Sequence, residues 1–132
     1  MRYLVDSNWM IDNLLNIQKA VELLETLSAS GFAVSIFTYM EVYQGTLRGE
    51  ATAELQRAFE RFFDTVPILP FSPAVARRCA SLRHQLEQQG KRVNSRATDL
   101  MIAATALEYG LEFVIRNTDD YDDIPNLSLY QS

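Results

Sequence analysis

Cysteine and histidine are almost absent from this chain of 132 residues, which contains one of each. The single cysteine, Cys79, has no partner for an internal disulfide bond and falls on the apolar spacing of a predicted helix, so we expect it to be buried and inert. The one histidine, His84, lies on the same helix with no partner at ligand spacing. These absences disfavour a disulfide-stabilised fold and a zinc site.

Long apolar runs and an excess of positive charge are missing as well. No apolar run reaches the length that spans a bilayer, and the chain starts with a strand pattern rather than an export signal, so we expect a cytoplasmic protein with no membrane partner. Lys and Arg total 12 against 17 Asp and Glu, which gives a formal net charge of −5 at pH 7. Nucleic-acid binding would therefore need a local basic patch or metal ions.

The chain does contain short apolar segments that alternate with longer amphipathic ones. This pattern predicts strands at residues 3–5, 32–36, 66–69 and 112–115, with a short last strand near 127–129, and helices between them. Prolines flanking the third strand favour an edge position for it. Strands separated by helices become parallel neighbours with helices on both faces. We expect a single domain over residues 1–132, an α/β fold with a three-layer α/β/α sandwich and a small, mainly parallel sheet.

Four acidic residues occupy related positions in this predicted topology. They are Asp6 at the end of the first strand, Glu41 near the start of the helix after the second, Asp99 near the start of the helix before the fourth, and Asp119 after the fourth. Ligands of open α/β sheets bind outside the carboxyl ends of the strands, and all four positions belong to that edge. We therefore expect the four side chains to converge.

Converging carboxylates require neutralisation. Two unit charges about 4 Å apart interact by about 4 kcal/mol at an effective dielectric constant near 20. An all-oxygen site suits Mg²⁺, and Mn²⁺ would also fit. Such a site favours phosphodiester hydrolysis, because the metal activates water and stabilises charge on the phosphate. The alternative is structural: Asp6 and Asp99 are common residues at helix N-termini, and Glu41 and Asp119 would be surface residues.

Four motifs surround these residues in order along the chain. They are Asp6-Ser7-Asn8, the segment 35–45 with Glu41, the segment 99–106 that starts with Asp99, and the segment 116–121. Together they resemble the PIN-domain ribonucleases, specifically the VapC-type toxins of bacterial toxin-antitoxin pairs. The resemblance covers essentially the whole chain. It implies a Mg²⁺-dependent endoribonuclease that acts on RNA, forms a homodimer and is inhibited by a cognate antitoxin.

The resemblance also implies roles for particular residues. Asp6, Glu41 and Asp99 match the metal-binding acidic residues of the family. The fourth position is open, because many family members have Asp where this chain has Asn117, whereas Asp119 lies two residues further on. Either side chain would orient a water at the metal, and only Asp119 adds charge.

The residues after Asp6 match the family in part. Ser7 stands where the family usually has Thr or Ser, and Asn8 matches the family's Asn, so both are expected to support the site. Trp9 is bulkier than the resemblance predicts.

RNA must reach an acidic site, and basic residues flank it in the sequence. Lys91, Arg92 and Arg96 precede the helix that carries Asp99, and Arg116 follows the fourth strand. We predict that these four side chains contact RNA phosphates, which would make binding independent of sequence and sensitive to salt. The alternative is an ordinary solvated charged loop.

Two other functions fit parts of the pattern. One is a PIN-like module with weak catalysis that binds RNA or protein. This alternative stays open because the chain has Asn117 where many family members have Asp. The other is a receiver-like phospho-acceptor domain, which also gathers acidic residues around Mg²⁺. A receiver domain would need a lysine at the end of a later strand, and the lysines here are Lys19 and Lys91.

Overall fold

The computed structural model describes residues 1–131, and its centre is a four-stranded sheet. The strands are β1 (Tyr3–Val5), β2 (Phe32–Ser35), β3 (Ile68–Leu69) and β4 (Glu112–Val114). Their order is β3-β2-β1-β4, and all three neighbouring pairs are parallel. The predicted edge position of the third strand is confirmed. In place of the expected last strand, Leu129 forms one parallel bridge to Phe113.

Helices cover both faces of this sheet. They are α1 (Ser7–Leu14), α2 (Gln18–Ser28), α3 (Ile36–Thr46), α4 (Thr52–Phe63), α5 (Pro73–Gln88) and α6 (Ala97–Tyr109). Short 3₁₀ turns precede α6 (Asn94–Arg96) and follow β4 (Thr118–Tyr121). Within residues 1–131, none of the helices combines the length and apolar character needed to cross a membrane.

Alternate strand residues point to opposite faces and divide the core in two. Leu4 and Phe113 pack with side chains of α5 and α6 on one face, and Cys79 is buried there as predicted. Val5 and Val114 pack on the other face with side chains of α1 to α4. This alternation follows from the two-residue period of a strand. The predicted three-layer α/β/α sandwich is confirmed.

The helix that carries Glu41 begins at the last residue of the strand predicted over 32–36. The Ser35 side chain accepts a hydrogen bond from the Thr38 N–H (3.0 Å), so Ser35 caps α3 and the helix begins at Ile36. It continues through Gly45 and ends at Thr46. A Cβ at Gly45 would lie 3.6 Å from the Ile11 side chain of α1, an ordinary van der Waals contact, so the packing of α1 on α3 does not require a glycine there. Glu41 consequently lies in the second turn of α3.

Candidate metal site

Asp6 lies at the junction between β1 and α1, where it is the N-cap residue of the helix. Its backbone N–H donates to the Val114 carbonyl (3.0 Å), which ties the junction to β4. Its side chain makes no capping hydrogen bond to the helix. The Asp6 side chain therefore does not cap α1, as the structural alternative would require. The carboxylate remains available to the site.

Glu41 on α3 and Asp99 on α6 lie near enough to Asp6 for their charges to interact. Burial is the largest cause that raises the pKa of Asp6; the Ser7 N–H lowers this pKa, and the charge of Asp99 raises it. Burial also raises the pKa of Glu41, followed by the charge of Asp6 and, more weakly, that of Asp99. Because the charge of Asp99 acts on Asp6, and the charges of Asp6 and Asp99 act on Glu41, these three of the four predicted acidic residues lie near one another.

Glu41 supplies an oxygen suited to a cation. Its Oε1 atom is buried without a hydrogen-bond partner. The Ser7 hydroxyl lies close enough to lower the pKa of Glu41, but no hydrogen bond of normal geometry reaches Oε1. A buried carboxylate oxygen without a partner is unfavourable, and a bound cation would relieve it. The donors are all carboxylates, so the residues present fit a hard divalent cation such as Mg²⁺ or Mn²⁺.

These carboxylates are neighbours, but they are not arranged as a complete metal site. Within residues 1–131, no three Asp, Glu, His or Cys side chains are already arranged to hold a metal ion. Asp6 and Glu41 are partly buried, whereas Asp99 is exposed at the start of α6. Metal binding would therefore require side-chain rotation, for which the exposed Asp99 has the most freedom.

The two candidates for the fourth position lie in the turn after β4, and both are exposed. The Asn117 side-chain amide donates to Asp120 Oδ2 (3.0 Å). The charge of Asp119 is not among the causes that shift the pKa of Asp6 or Glu41. Neither observation places Asn117 or Asp119 with Asp6, Glu41 and Asp99, and the fourth ligand stays a prediction.

Tyr121 is a neighbour of the trio that the sequence did not single out. It is 6% exposed and packs edge-on against Phe113, with ring centres 5.1 Å apart. Burial, then the charges of Asp99 and Asp6, raise the pKa of its hydroxyl, which also faces Asp99 as a hydrogen-bond donor. The hydroxyl therefore stays protonated at neutral pH. An aromatic residue at the end of the fourth motif was the available signal, but its position beside Asp99 depends on tertiary packing.

Two of the three predicted RNA-contacting residues of the basic loop, Lys91 and Arg96, form ion pairs with Asp123. Arg96 forms a two-pronged ion pair with Asp123 (2.8 and 2.9 Å) and donates to the Asp120 carbonyl (2.9 Å). Lys91 Nζ lies 3.1 Å from the same Asp123 carboxylate. We call Lys91, Arg96 and Asp123 the tail clamp, because they join the turn after β4 to the start of α6.

The other two predicted RNA contacts differ from each other. Arg116 forms an ion pair with Asp12 and stacks on the ring of Trp9. Arg92 is exposed, and within the described chain no carboxylate oxygen lies within 4.0 Å of it. RNA contact stays a prediction for all four basic residues, and their ion pairs limit how freely three of them move.

The tail clamp predicts a pH-dependent contribution to stability. Hydrogen bonds from Arg96 and Lys91 lower the pKa of Asp123 to about 2 from its ordinary 3.8. The ionised form is therefore favoured in the folded protein, and its contribution is present above about pH 4 and lost as the pH falls toward 2. We expect Asp123→Asn to reduce the free energy of unfolding at neutral pH by about 1–2 kcal/mol, allowing for solvent screening.

Urea unfolding at neutral and acidic pH measures this contribution. The matched control is Asp122→Asn, since Asp122 is exposed and forms no ion pair in the described part of the chain. An equal loss of stability in both variants, or a loss from Asp123→Asn that persists at pH 2, would contradict the clamp.

The fold and the trio together define a class of protein. A parallel α/β sheet with several carboxylates at its carboxyl edge is typical of proteins that bind a divalent metal and act on phosphate groups. The family model described as PIN domain matches residues 3–127. This match spans nearly the whole chain, so the chain belongs to the PIN-domain family. The match does not support the receiver-like alternative.

Proteins similar to this chain include VapC ribonucleases and chains of toxin-antitoxin complexes. The chain is 25% identical over 127 residues to the tRNA(fMet)-specific endonuclease VapC of Shigella flexneri, covering 96% of this chain and 95% of that relative. It is similar to a chain in the crystal structure of VapBC2 from Rickettsia felis bound to a promoter DNA fragment, with TM-score 0.85, 25% identity and 98% coverage of both. A toxin-antitoxin complex from Klebsiella pneumoniae gives TM-score 0.75 and 29% identity, covering 98% of this chain and 99% of that one. The resemblance seen in the sequence motifs is confirmed.

Proposed function

We propose that this PIN-domain protein is the endoribonuclease toxin of a toxin-antitoxin pair and that it hydrolyses RNA phosphodiester bonds with Mg²⁺ as its cofactor. The observation that carries the proposal is the electrostatic coupling of Asp6, Glu41 and Asp99 at the carboxyl edge of the sheet. The VapC relatives support the reaction class. Mn²⁺ is the alternative cofactor, and the cytoplasm is the proposed site of action.

Each residue of the site has a proposed task. When bound, the divalent cation activates the attacking water and neutralises charge that develops on the phosphate. Asp6, Glu41 and Asp99 hold that cation. The Ser7 hydroxyl orients Glu41, and the Tyr121 hydroxyl donates toward Asp99. Asn8 supports the turn that carries Asp6, and Asp119 or Asn117 orients the water.

The direct test is an RNA cleavage assay with the purified protein. End-labelled transfer, ribosomal and messenger RNA fragments are incubated with Mg²⁺, with Mn²⁺ or with EDTA. We expect internal cuts with either metal and none with EDTA. RNA left intact with both metals would contradict the proposal and favour the second candidate, a PIN-like binding module, for which the open arrangement of the carboxylates is the supporting observation.

An antitoxin is the proposed protein partner. The structural neighbours are toxin-antitoxin complexes, which supports such a partner for this chain. The trio of carboxylates concentrates negative charge at one edge, so a partner segment that covers the site is expected to present a basic side chain there. Such a segment would compete with the metal and with RNA.

A homodimer is proposed on the basis of apolar side chains exposed on α3 and on its C-cap residue, Leu47. Ile36, Met40, Tyr43 and Leu47 are each between 40% and 54% exposed. Their spacing of four, three and four residues places them on one face of the helix, and we call them the α3 stripe. A contiguous exposed apolar stripe marks an interaction surface, and pairing with the same stripe of a second copy would give a two-fold symmetric contact.

Met40→Glu tests the dimer. A charge in the middle of the α3 stripe would be buried without a partner, so light scattering is expected to give the mass of a monomer for this variant and of a dimer for the unchanged protein. Tyr109→Glu is the matched control, because Tyr109 is an exposed apolar residue on α6 (41%) outside the stripe. A dimer that persists in Met40→Glu would contradict the α3 interface.

A further inference from the structure

Trp9 and Arg116 form a contact for which the sequence motifs give no reason. The Arg116 Cζ atom lies 4.4 Å from the centre of the Trp9 ring, within the range of a favourable cation–π interaction. Arg116 also donates through Nη2 to Asp12. Trp9 and Asp12 are three residues apart on α1 and so share a helix face. Together they hold the guanidinium from two sides, and we call this pair the Arg116 seat.

The Arg116 seat lies at the same edge of the sheet as the candidate metal site. Arg116 is two residues beyond Val114, whose carbonyl accepts the Asp6 N–H at 3.0 Å. Trp9 lies in the first turn of α1, three residues after Asp6. The guanidinium is therefore held at the carboxyl edge of the sheet, next to the junction that carries Asp6.

The seat leaves most of the guanidinium available to a ligand. Stacking uses only its flat face, and the ion pair with Asp12 is made through one nitrogen, whereas an arginine side chain has five N–H donors. The Arg116 side chain is 43% exposed. A planar guanidinium of fixed orientation suits two-pronged binding of a phosphate.

Trp9 contributes the face of its ring rather than its polar edge. Its Nε1 atom is buried and has no hydrogen-bond partner, which is an unfavourable arrangement. Trp9 also borders a cavity of about 240 Å³ with Val114 and Ile115. Tryptophan is the best cation–π partner among the aromatic residues. Trp9 packs against the core on the α1 to α4 face and also stacks on Arg116, so the indole serves the guanidinium as well as the core, whereas no hydrogen bond accounts for it.

We propose that Trp9 is a positioning residue that holds Arg116 in place to bind an RNA phosphate beside the carboxylate site. This inference rests on the proposed ribonuclease function. It gives a role to the bulky residue after the Asp6-Ser7-Asn8 motif. Trp9 itself touches no reacting atom, and its effect on RNA passes through the guanidinium.

RNA binding by a set of variants tests the inference. All carry Asp99→Asn to prevent cleavage, and the probe is a short fluorescently labelled single-stranded RNA titrated in Mg²⁺ buffer at several salt concentrations. Arg116→Ala is expected to weaken binding at low salt and to reduce the slope of log K against log salt by about 0.7, the value for one phosphate contact on a single strand. Trp9→Leu is expected to weaken binding about three- to tenfold by losing the ring face.

Trp9→Phe is the matched control. It keeps a ring face and removes the buried Nε1–H, so we expect it to fold at least as stably and to bind RNA nearly as well as the parent. The double variant Trp9→Leu with Arg116→Ala is expected to bind like Arg116→Ala alone, because the two residues act through one contact. Trp9→Met replaces Trp9→Leu if the latter fails to fold.

Two results would overturn the inference. One is a salt slope that Arg116→Ala leaves unchanged. The other is a loss from Trp9→Leu that adds in full to the loss from Arg116→Ala, as expected of a purely structural residue. Failure of the proposed function looks different, because the protein without any substitution would then cleave no RNA with either metal.

Discussion

Replacement of Asp6 or Asp99 by Asn is expected to lower metal-dependent RNA cleavage by at least about a hundredfold while the fold is retained. Loss of a partner that merely supports a metal ligand commonly costs 10–100-fold, so loss of a ligand itself is expected to cost no less. Asn keeps the size of the side chain and one oxygen but removes the negative charge. Because the Asp6 side chain makes no capping hydrogen bond and the Asn oxygen can still accept from the Ser7 N–H, we expect α1 to form in the variant.

Initial cleavage rates with end-labelled RNA in Mg²⁺ measure this effect, and circular dichroism checks that the variants are folded. Asp64→Asn is the matched control, since Asp64 is an exposed acidic residue at the end of α4, away from the trio. We expect the control to cleave at the rate of the unchanged protein. Full activity in both site variants would refute the assignment of Asp6 and Asp99.

The same Asp6→Asn change is expected to stabilise the metal-free protein at neutral pH. Burial and the charge of Asp99 raise the pKa of Asp6 above its ordinary value, against the opposing effect of the Ser7 N–H. The ionised carboxylate therefore destabilises the folded state, and this penalty is present above the raised pKa and absent below the ordinary 3.8. Relief of such a penalty is typically worth about 0.5–2 kcal/mol. The advantage of the variant should vanish as the pH falls below about 4.

Magnesium is expected to reverse that order of stability. A ligand that binds only the folded protein at about 100 times its Kd adds about 2.7 kcal/mol to the free energy of unfolding. The unchanged protein should gain this amount, and Asp6→Asn should gain much less. Urea unfolding in EDTA and in Mg²⁺ makes the comparison. Two results would contradict these expectations: a lower free energy of unfolding for Asp6→Asn than for the unchanged protein in EDTA at neutral pH, or an equal increase in both proteins on addition of Mg²⁺.

Much of the fold and part of the site follow from local sequence signals. Apolar segments bounded by glycine and proline identified the strands, and the rule that parallel strands share a carboxyl edge ordered the acidic residues in space. Asp6, Glu41 and Asp99 were predicted in this way, and the structure places them near one another. The start of α3 was missed because Ile36 and Phe37 extend the apolar pattern of β2, and the cap formed by Ser35 is visible only in the hydrogen bonds.

Side-chain pairing across the fold could not be predicted from the same signals. Arg96 and Asp123 are 27 residues apart, and Arg116 and Asp12 are 104 apart. A basic loop has the same composition whether its side chains bind RNA or form ion pairs with the C-terminal segment. The neighbours of Tyr121 likewise depend on how the turn after β4 folds back. Such contacts depend on tertiary distances, which hydrophobic periodicity does not encode.

Calorimetric titration with Mn²⁺ tests the central claim, that carboxylates from three remote segments share one cation. We predict binding by the unchanged protein and by Asp64→Asn, and affinity at least about tenfold weaker in each of Asp6→Asn, Glu41→Gln and Asp99→Asn. If all three site variants bound Mn²⁺ as tightly as the unchanged protein, the shared metal site would be contradicted.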